Sequence, residues 1–452
     1  MERKKILVGL IVCLFYTHFL AAQTNFLVVP PGTPGVTPTS PWDSWDIAET
    51  DLVAMVNHAS VPGAGNTICI SNGTYFLTNQ LNASFLTITG LNGAAATVLT
   101  RTMDITNRIA TLTASAIGGV TISNGLARDG AGLYLIGSVA GNCVLIHNIA
   151  TNMGGGLYLT NSYALNCLVN SNRAARGGGV AVASYSNFLY NCTVVGNTAT
   201  ASVGGVYAWT NTLGSTGYVH NSIVYFNQTL LGSASNIIDA DITAGYLVFS
   251  NSCVAPTNGM SVGNIALEPQ FVNYAARNCR LCAGSPCLDA GLVMAWMTGA
   301  KDLDGLPRIV GAGVDMGAYE RPNMTIDPLQ ITNKAMLGFA TGVTFSISSV
   351  ATDLAWSVSS VATWIGFDAT QGVVGESGTA QVRMTNDSAD LSSGQYDDVV
   401  LITGTNLYYT DMIELLTVCF QVMELEVVPL QITNLLMQSA VMTDTVSVRN
   451  IG

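Results

Sequence analysis

A repeat of about 24 residues in the centre of the chain restricts its fold more than any other feature. Three segments align without gaps: Asn142-Cys143-Val144-Leu145-Ile146-His147-Asn148, Asn166-Cys167-Leu168-Val169-Asn170-Ser171-Asn172 and Asn191-Cys192-Thr193-Val194-Val195-Gly196-Asn197. Weaker copies occupy 118–124 and 221–227. The closing asparagines, Asn124, Asn148, Asn172, Asn197 and Asn227, follow one another at 24, 24, 25 and 30 residues. Each of the first four is followed by a polar stretch and a glycine corner, at 130–134, 154–158, 177–180 and 204–207. A unit this short cannot bury its own apolar face, so it must stack on its copies, about 4.8 Å apart if they pair as strands.

These spacings predict an all-β fold, a right-handed, single-stranded parallel β-helix. A propeller or sandwich needs hairpin turns and longer periods. The third strand position (Thr121, Leu145, Val169, Val194, Val224) is expected inside, with the cysteine two residues earlier on the same face. Asparagine stands at a bend, where its amide reaches backbone or the asparagines above and below, and glycine serves the opposite corner. Cys143, Cys167 and Cys192 read as a buried column of small side chains. Neighbouring coils would bring them within disulfide range, but no CxxC accompanies them, and His147 points outward by strand parity.

A basic segment at 2–5, an apolar run over 6–15 and Leu20-Ala21-Ala22 make 1–22 a secretory signal peptide, with Cys13 a passenger inside it. No later run is apolar for long enough to span a bilayer. Only 10% of residues are charged, yet 49% are hydrophobic, which argues against disorder. A net charge of −12, with lysine only at positions 4, 5, 301 and 334, excludes a general nucleic-acid partner. Nine cysteines follow the signal, an odd number that leaves at least one unpaired within the chain. Export permits disulfides without requiring them.

Residues 23–45 read as an aperiodic leader. Ile47, Leu52, Met55, Val56 and Ala59 then recur at helical spacing, bounded by Asp46 with Glu49 and by Pro62. Such a helix would cover the open end of a β-helix. Residues 67–81, alternating around Asn72-Gly73, read as the first coil. The β-helix with its helix and closing module is expected over 46–322, the module itself over 251–322.

That module carries Asn251-Ser252-Cys253, Cys279, Cys282, Ala283-Gly284-Ser285-Pro286-Cys287-Leu288-Asp289-Ala290-Gly291, Asp302-Leu303-Asp304-Gly305-Leu306-Pro307-Arg308 and Asp315-Met316-Gly317-Ala318-Tyr319-Glu320. These motifs resemble the choice-of-anchor Q closing module of bacterial exported β-helix proteins with a pectin-lyase-like fold. The helix and first coil resemble the start of the same proteins, and the Asn-Cys and glycine-rich coils are similar to the repeats of polymorphic outer membrane proteins. The resemblance spans about 42–321. It implies a secreted or cell-surface protein and little more about function.

Beyond it, Pro328-Leu329-Gln330-Ile331-Thr332-Asn333 recurs 101 residues later at 429–434, and Thr344-Phe345-Ser346-Ile347 recurs at 445–448. Residues 323–427 therefore read as one Ig-like β-sandwich, and 428–452 as the start of a truncated second one. Trp356, Trp364 and Ser393-Gly394-Gln395-Tyr396 give the sandwich a resemblance to BACON-type modules.

Candidate sites are sparse. A polysaccharide lyase or glycoside hydrolase needs clustered carboxylates or a base, yet no Asp or Glu occurs over 130–238 and no Lys over 6–300. A site would have to be drawn from Arg101, Asp104, Arg108 and Asp129, or from Asp239 and Asp241. No catalytic constellation is evident, and the enzyme is the alternative reading. The leading one is a structural, adhesin-like scaffold that binds polysaccharide or surface glycans. Tyr134, Tyr158, Tyr207 and Trp209 could stack on sugar rings, unless they merely cover the glycine corners. Arg173 and Arg176 could meet an acidic sugar. Asp302, Asp304, Asp315 and Glu320, with Asp289 beside them, are candidate calcium ligands through Asp-x-Asp-Gly, although the remaining ligands of an EF-hand do not follow. The competing reading is a turn braced by Arg308 against Asp315 or Glu320. Calcium is the one cofactor considered. Cys253, Cys282 and Cys287 are the disulfide candidates, their pairing open.

Overall fold

The computed structural model describes residues 24–102, 106–209, 216–230, 237–239, 247–255, 263–310, 313–322, 324–349, 352–407, 409, 412–428 and 447–450, with only the backbone path for 237–239, 425–428 and 447–450. The expected signal sequence, Asp104, Asp241 and most of the expected second sandwich unit lie outside them. The chain divides into two compact units, 1–321 and 322–452.

The first unit is a parallel β-helix. One coil runs through Val139–Gly141, Val144–Ile146, Ile149–Met153 and Leu157–Thr160, and Tyr163–Leu165 then returns beside the first of these. Repetition builds four sheets. The first has nine strands, from Asn25–Val28 to Leu247–Ser250, and the second eight, from Gly73–Phe76 to Cys253–Val254. The third has seven, from Leu81–Ser84 to Ile237–Asp239, and a narrower fourth has five, from Leu126–Asp129 to Gln228–Thr229. Neighbouring strands in these sheets pair in parallel, as in Val144↔Leu168↔Thr193↔Ile223↔Cys253.

The interior follows the expected parity. Cys143, Cys167 and Cys192 are fully buried in one column, and Leu145, Val169, Val194 and Val224 are buried two residues on. The earliest coil differs by one position. Ile122, not Thr121, pairs with Leu145 and is fully buried, while the Thr121 hydroxyl donates to the Ala94 carbonyl at 2.7 Å. Val120 takes the cysteine's place there, so no Asn-Cys pair marks the register.

The closing asparagines form a buried ladder. Nδ2 of Asn148, Asn172 and Asn197 donates to Oδ1 of Asn172, Asn197 and Asn227 at 3.0, 3.0 and 2.9 Å. Each amide also donates to a carbonyl of the previous coil: Ile122, Leu145 and Val169, with Asn227 reaching Val194. The glycine corners make room for it. A Cβ on Gly156 would come within 3.0 Å of Asn172 Nδ2, and one on Gly179 within 2.8 Å of Asn197 Nδ2. Asparagine and glycine recur together because one occupies the space that the other leaves empty.

The helix is shorter than its apolar spacing suggests, Leu52–Ala59, and its cap is Asp51 instead of Asp46. Asp51 Oδ1 accepts from the Val53 and Ala54 amides at 2.9 and 3.1 Å. Glu49 instead binds the Thr50 and Asp51 amides, just before the cap. Leu52, Met55, Val56 and Ala59 are buried as expected, inside the cluster that holds the interiors of the coils. The leader is not wholly irregular, because Asn25–Val28 pairs with Thr67–Ile70 as the outermost strand of the first sheet.

The second unit is a sandwich. Met324–Asp327, Ala340–Ser349, Thr379–Asp387 and Ile365–Phe367 form one sheet. Gln330–Met336, Met412–Met423, Gly394–Thr405, Leu354–Ser359 and Gln371–Val374 form the other. Phe345, Ile347, Trp356, Val382, Met384, Leu416 and Val418 fill the space between them. Alternate residues point into that core, as in Leu354, Trp356 and Val358.

Candidate functional site

Two surfaces of the β-helix gather the sequence candidates. The outer face of the third sheet gathers the aromatics, because alternate residues of its strands point away from the core. Tyr134, Tyr158, Ala181 and Tyr207 stand in one register column, and Ala183 faces Trp209 in the next outward row. The Tyr134 and Tyr158 rings stack at 4.5 Å and 12°, and the Arg108 guanidinium lies 4.6 Å from the Tyr134 centroid. Asp129 Oδ1 accepts from Asn152 Nδ2 at 2.8 Å and from the Met153 amide at 3.1 Å, while Arg176 donates to Asn152 Oδ1 at 3.2 Å. Arg128 lies 3.7 Å from Asp129 Oδ2 and is mostly exposed. Arg173, on the fourth sheet opposite Ile149 and Thr198, is also exposed.

Burial divides this set. Tyr158 and Tyr207 expose only 7% and 8% of their surface, whereas Trp209 exposes 38%. A Cβ on Gly130 would lie 2.9 Å from Tyr158 Cβ, and one on Gly177 2.9 Å from Tyr207 Cβ. These two tyrosines therefore cover the glycine corners, and burial pushes the Tyr158 hydroxyl's pKa up. Accessible stacking area comes from Trp209, since the Tyr134 ring is stacked on Tyr158 and lies under the Arg108 guanidinium. Among the described early-coil charges, Arg101 takes no part in this surface. Arg101 is buried and donates to the carbonyls of Arg108, Leu77 and Thr78, which makes it an internal brace.

The closing module forms the second surface, and it is not simply an end cap. It folds back along the outside of the second sheet. Leu168, Val195, Ile223 and Cys253 on that sheet pack against Cys279, Leu281, Cys287, Met316 and Ala318 of the module. The asparagine that opens each coil is the peg for this docking. Asn142, Asn166, Asn191 and Asn221 all hold φ near +50°, which asparagine tolerates better than most residues. Their amides donate to the carbonyls of Asp302, Lys301, Asp315 and Leu292 at 2.5, 2.9, 3.3 and 2.8 Å. Thr193 Oγ1 accepts from the Ala318 amide, and His147, facing outward, meets Arg277 at 2.8 Å. One signal for this covered face was present in the sequence. Runs such as Val144-Leu145-Ile146 and Ile223-Val224-Tyr225 are apolar on both faces, the pattern of a strand buried on both sides.

The carboxylates of the module are occupied by N–H donors. Asp302 Oδ1 accepts from the Asp304 and Leu306 amides and Oδ2 from Glu320, at 2.9, 2.8 and 2.7 Å. Asp315 accepts from the Asp289 and Arg321 amides, both at 2.8 Å. Arg308, fully buried, pairs with Glu320 at 2.6 Å and donates to the Asp315 carbonyl at 2.7 Å. Asp304 holds Arg280, which lies over the Tyr319 ring. The four carboxylates expected as calcium ligands, Asp302, Asp304, Asp315 and Glu320, are thus engaged by amides and arginines, and no group of three or more potential metal ligands gathers among the described residues. The brace by Arg308 is the arrangement present. Burial pushes the Asp302 carboxyl up to about 7 and that of Asp315 up to about 6, against the pull of their amide donors.

Cys253 and Cys287 carry free thiols. Both are fully buried in one cluster, where the Cys253 thiol donates to the Leu267 carbonyl at 3.2 Å, while Cys282 is partly exposed.

No family model matches the chain, and no curated protein matches it. Among solved structures, a pectin methylesterase in complex with a hexasaccharide aligns over 59% of this chain and 94% of its own, at 10% identity and a TM-score of 0.26. The ASH/PapD-like domain of human CEP192 aligns over 23% of this chain and 86% of its own, at 16% identity and a TM-score of 0.21. A Bacteroides ovatus GH5 xyloglucanase in complex with a XXXG heptasaccharide aligns over 22% of this chain and 19% of its own, at 14% identity and a TM-score of 0.17. Likenesses this slight carry no argument about activity. No helix among the described residues is long and apolar enough to cross a membrane.

Proposed function

We propose that this is an exported, cell-surface scaffold of adhesin type, with a closing module of the choice-of-anchor Q kind, that binds acidic polysaccharide on the outer face of its third sheet. One observation carries the reading. Trp209 offers exposed ring surface on a face bordered by Arg108, Arg128 and Arg176, where Asp129 is already bound to Asn152 and Met153. Sugar rings stack on aromatic faces, and guanidinium groups pair with carboxylates in two-pronged fashion. Hydrolysis or elimination would need an acid and a base placed across the bond, and the described coils bring no such pair together.

Affinity electrophoresis through gels containing polygalacturonate or a neutral glucan tests the proposal. The full chain should be retarded by the acidic polymer alone, and Trp209→Ala and Arg108→Ala should each weaken the retardation. Appearance of unsaturated-sugar absorbance or loss of polymer mass would replace the scaffold with an enzyme. Equal mobility in all gels would leave a spacer without a glycan ligand.

A further inference from the structure

We infer that Cys253 and Cys287 are the sites of an oxidative crosslink that fastens the closing module to the last coil of the β-helix. Cys253 lies on the final strand of the second sheet, Cys253–Val254, in register with Ile223, so its side chain points out of the helix while Val254 points in. Cys287 belongs to the module segment that lies over it, and its carbonyl accepts from the Met316 amide at 2.9 Å. The two cysteines come from different elements into one fully buried apolar cluster with Ile223, Leu281 and Met316. The Gly317 amide, next to Met316, donates to the Asn221 carbonyl at 2.7 Å, beside the strand that pairs with Cys253.

The three interior cysteines differ in a decisive way. Cys143, Cys167 and Cys192 also follow one another up the stack, but each stands just before one of three in-register parallel strands. Their Cα–Cβ bonds run side by side at the strand spacing of about 4.8 Å. A disulfide needs Cβ atoms about 3.8 Å apart on converging vectors. Cys167 also has two competing neighbours, so the column gains nothing from choosing either. Cys282 is partly exposed and stands outside the cluster that encloses the pair, and Cys279, inside it, lies 3.8 Å from Asn170 Nδ2, three strands of the second sheet away from Cys253.

Formation is an ordinary exchange. Two thiols and one disulfide-bearing oxidant, such as oxidised glutathione, give one protein disulfide and two thiols of the oxidant, with both protons leaving the cysteines. Because both sulfurs are buried, the bond forms while the module is undocked, and docking then encloses it away from reductant. The bond would close a loop of 34 residues, 253 to 287. It restricts the unfolded chain across the segment that must find its place on the helix.

The inference uses the export reading only for the source of oxidant, so the test supplies the oxidant directly. The full chain is refolded in reduced and oxidised glutathione, then alkylated and digested without reduction. The expected product is one peptide pair joined through Cys253 and Cys287, lost on reduction, with Cys143, Cys167 and Cys192 recovered as alkylated thiols. The melting temperature of the β-helix unit should fall by several degrees on reduction in the wild type and not in Cys287→Ala. Joining of Cys253 to Cys282, joining within the interior column, or recovery of both thiols alkylated would each overturn the assignment. Should Cys287→Ala not fold, the peptide map of the wild type decides alone. A bond that forms on refolding yet is missing from protein taken from its native source would count against export and leave the pairing intact.

Discussion

Asn166 and Asn172 stand six residues apart in one coil, and both are buried amides at bends. Asn172 turns into the stack, where its neighbours are identical residues one coil up and one coil down. Asn166 turns outward and donates to the Lys301 carbonyl, 135 residues away. The first column is a local device that repeats with the coil. The second works only because a distant segment returns to it. A repeat can therefore carry two conserved-looking asparagines for unrelated physical reasons, one holding coil to coil and the other holding the stack to its module.

The contrast can be broken most severely at the module's brace. Glu320→Ala leaves the Arg308 charge buried without its partner, and should cost about 3–5 kcal/mol in urea unfolding of the β-helix unit. An unfolding curve indistinguishable from wild type would show the pair to be dispensable. Next comes the inner column. Asn172→Ala strands the amides of Asn148 and the carbonyl of Leu145 in the core, a loss of about 3 kcal/mol at one to several unmet polar groups. The outer pegs should cost less. Asn191→Ala removes two long bonds, to the Asp315 carbonyl at 3.3 Å and from Asn221 Nδ2 at 3.5 Å, together worth about 1 kcal/mol, and hydrogen exchange should quicken in 313–321 while the coils stay protected. Equal losses at Asn172 and Asn191 would erase the distinction.

Acidity sharpens it further. Asp302 and Asp315 have carboxyls pushed by burial up to about 7 and about 6, above the value near 3.9 of an unfolded aspartate. The folded module therefore keeps protons that the unfolded chain has released. Its contribution is fullest below about pH 4, and it is lost as the pH rises through 6 and 7. The melting temperature of the β-helix unit should be lower at pH 8 than at pH 5, with the first exchange-accelerated amides in the module. The smallest effect on stability is expected at Trp209→Ala, within about 0.5 kcal/mol, which lets its effect on polysaccharide retardation be read as binding.

The coil was legible because its devices are local: a cysteine that fits only inward, an asparagine at the bend and a glycine where a Cβ would strike that asparagine. Register failed only where those markers thin out, at Thr121 and Ile122, because Val120 can replace a cysteine in the core without announcing its position. The helix was recognised by Leu52, Met55, Val56 and Ala59, but Asp46 was mistaken for its cap since Asp51 also precedes the apolar run. The folded-back module was harder to foresee. Leu168 and Ile223 look like ordinary strand residues, and only the docked module shows that their outward side is also covered. The aromatic face was half legible: alternation placed Tyr134, Tyr158, Tyr207 and Trp209 outward, but not how far the corners would bury two of them.

The four outward asparagines sit one coil apart, so the module spans three coil spacings, about 14 Å of the stack. That makes it a gauge as well as a clasp. Copies of the 24-residue unit can be added or removed before Asn142 with no change to what the module grips, so duplication there lengthens the stack. Between Asn142 and Asn221 a gained or lost coil would leave a peg without its carbonyl. Growth of this molecule is thus confined to one end, and the section under the clasp has its length fixed by a segment that does not belong to the repeat.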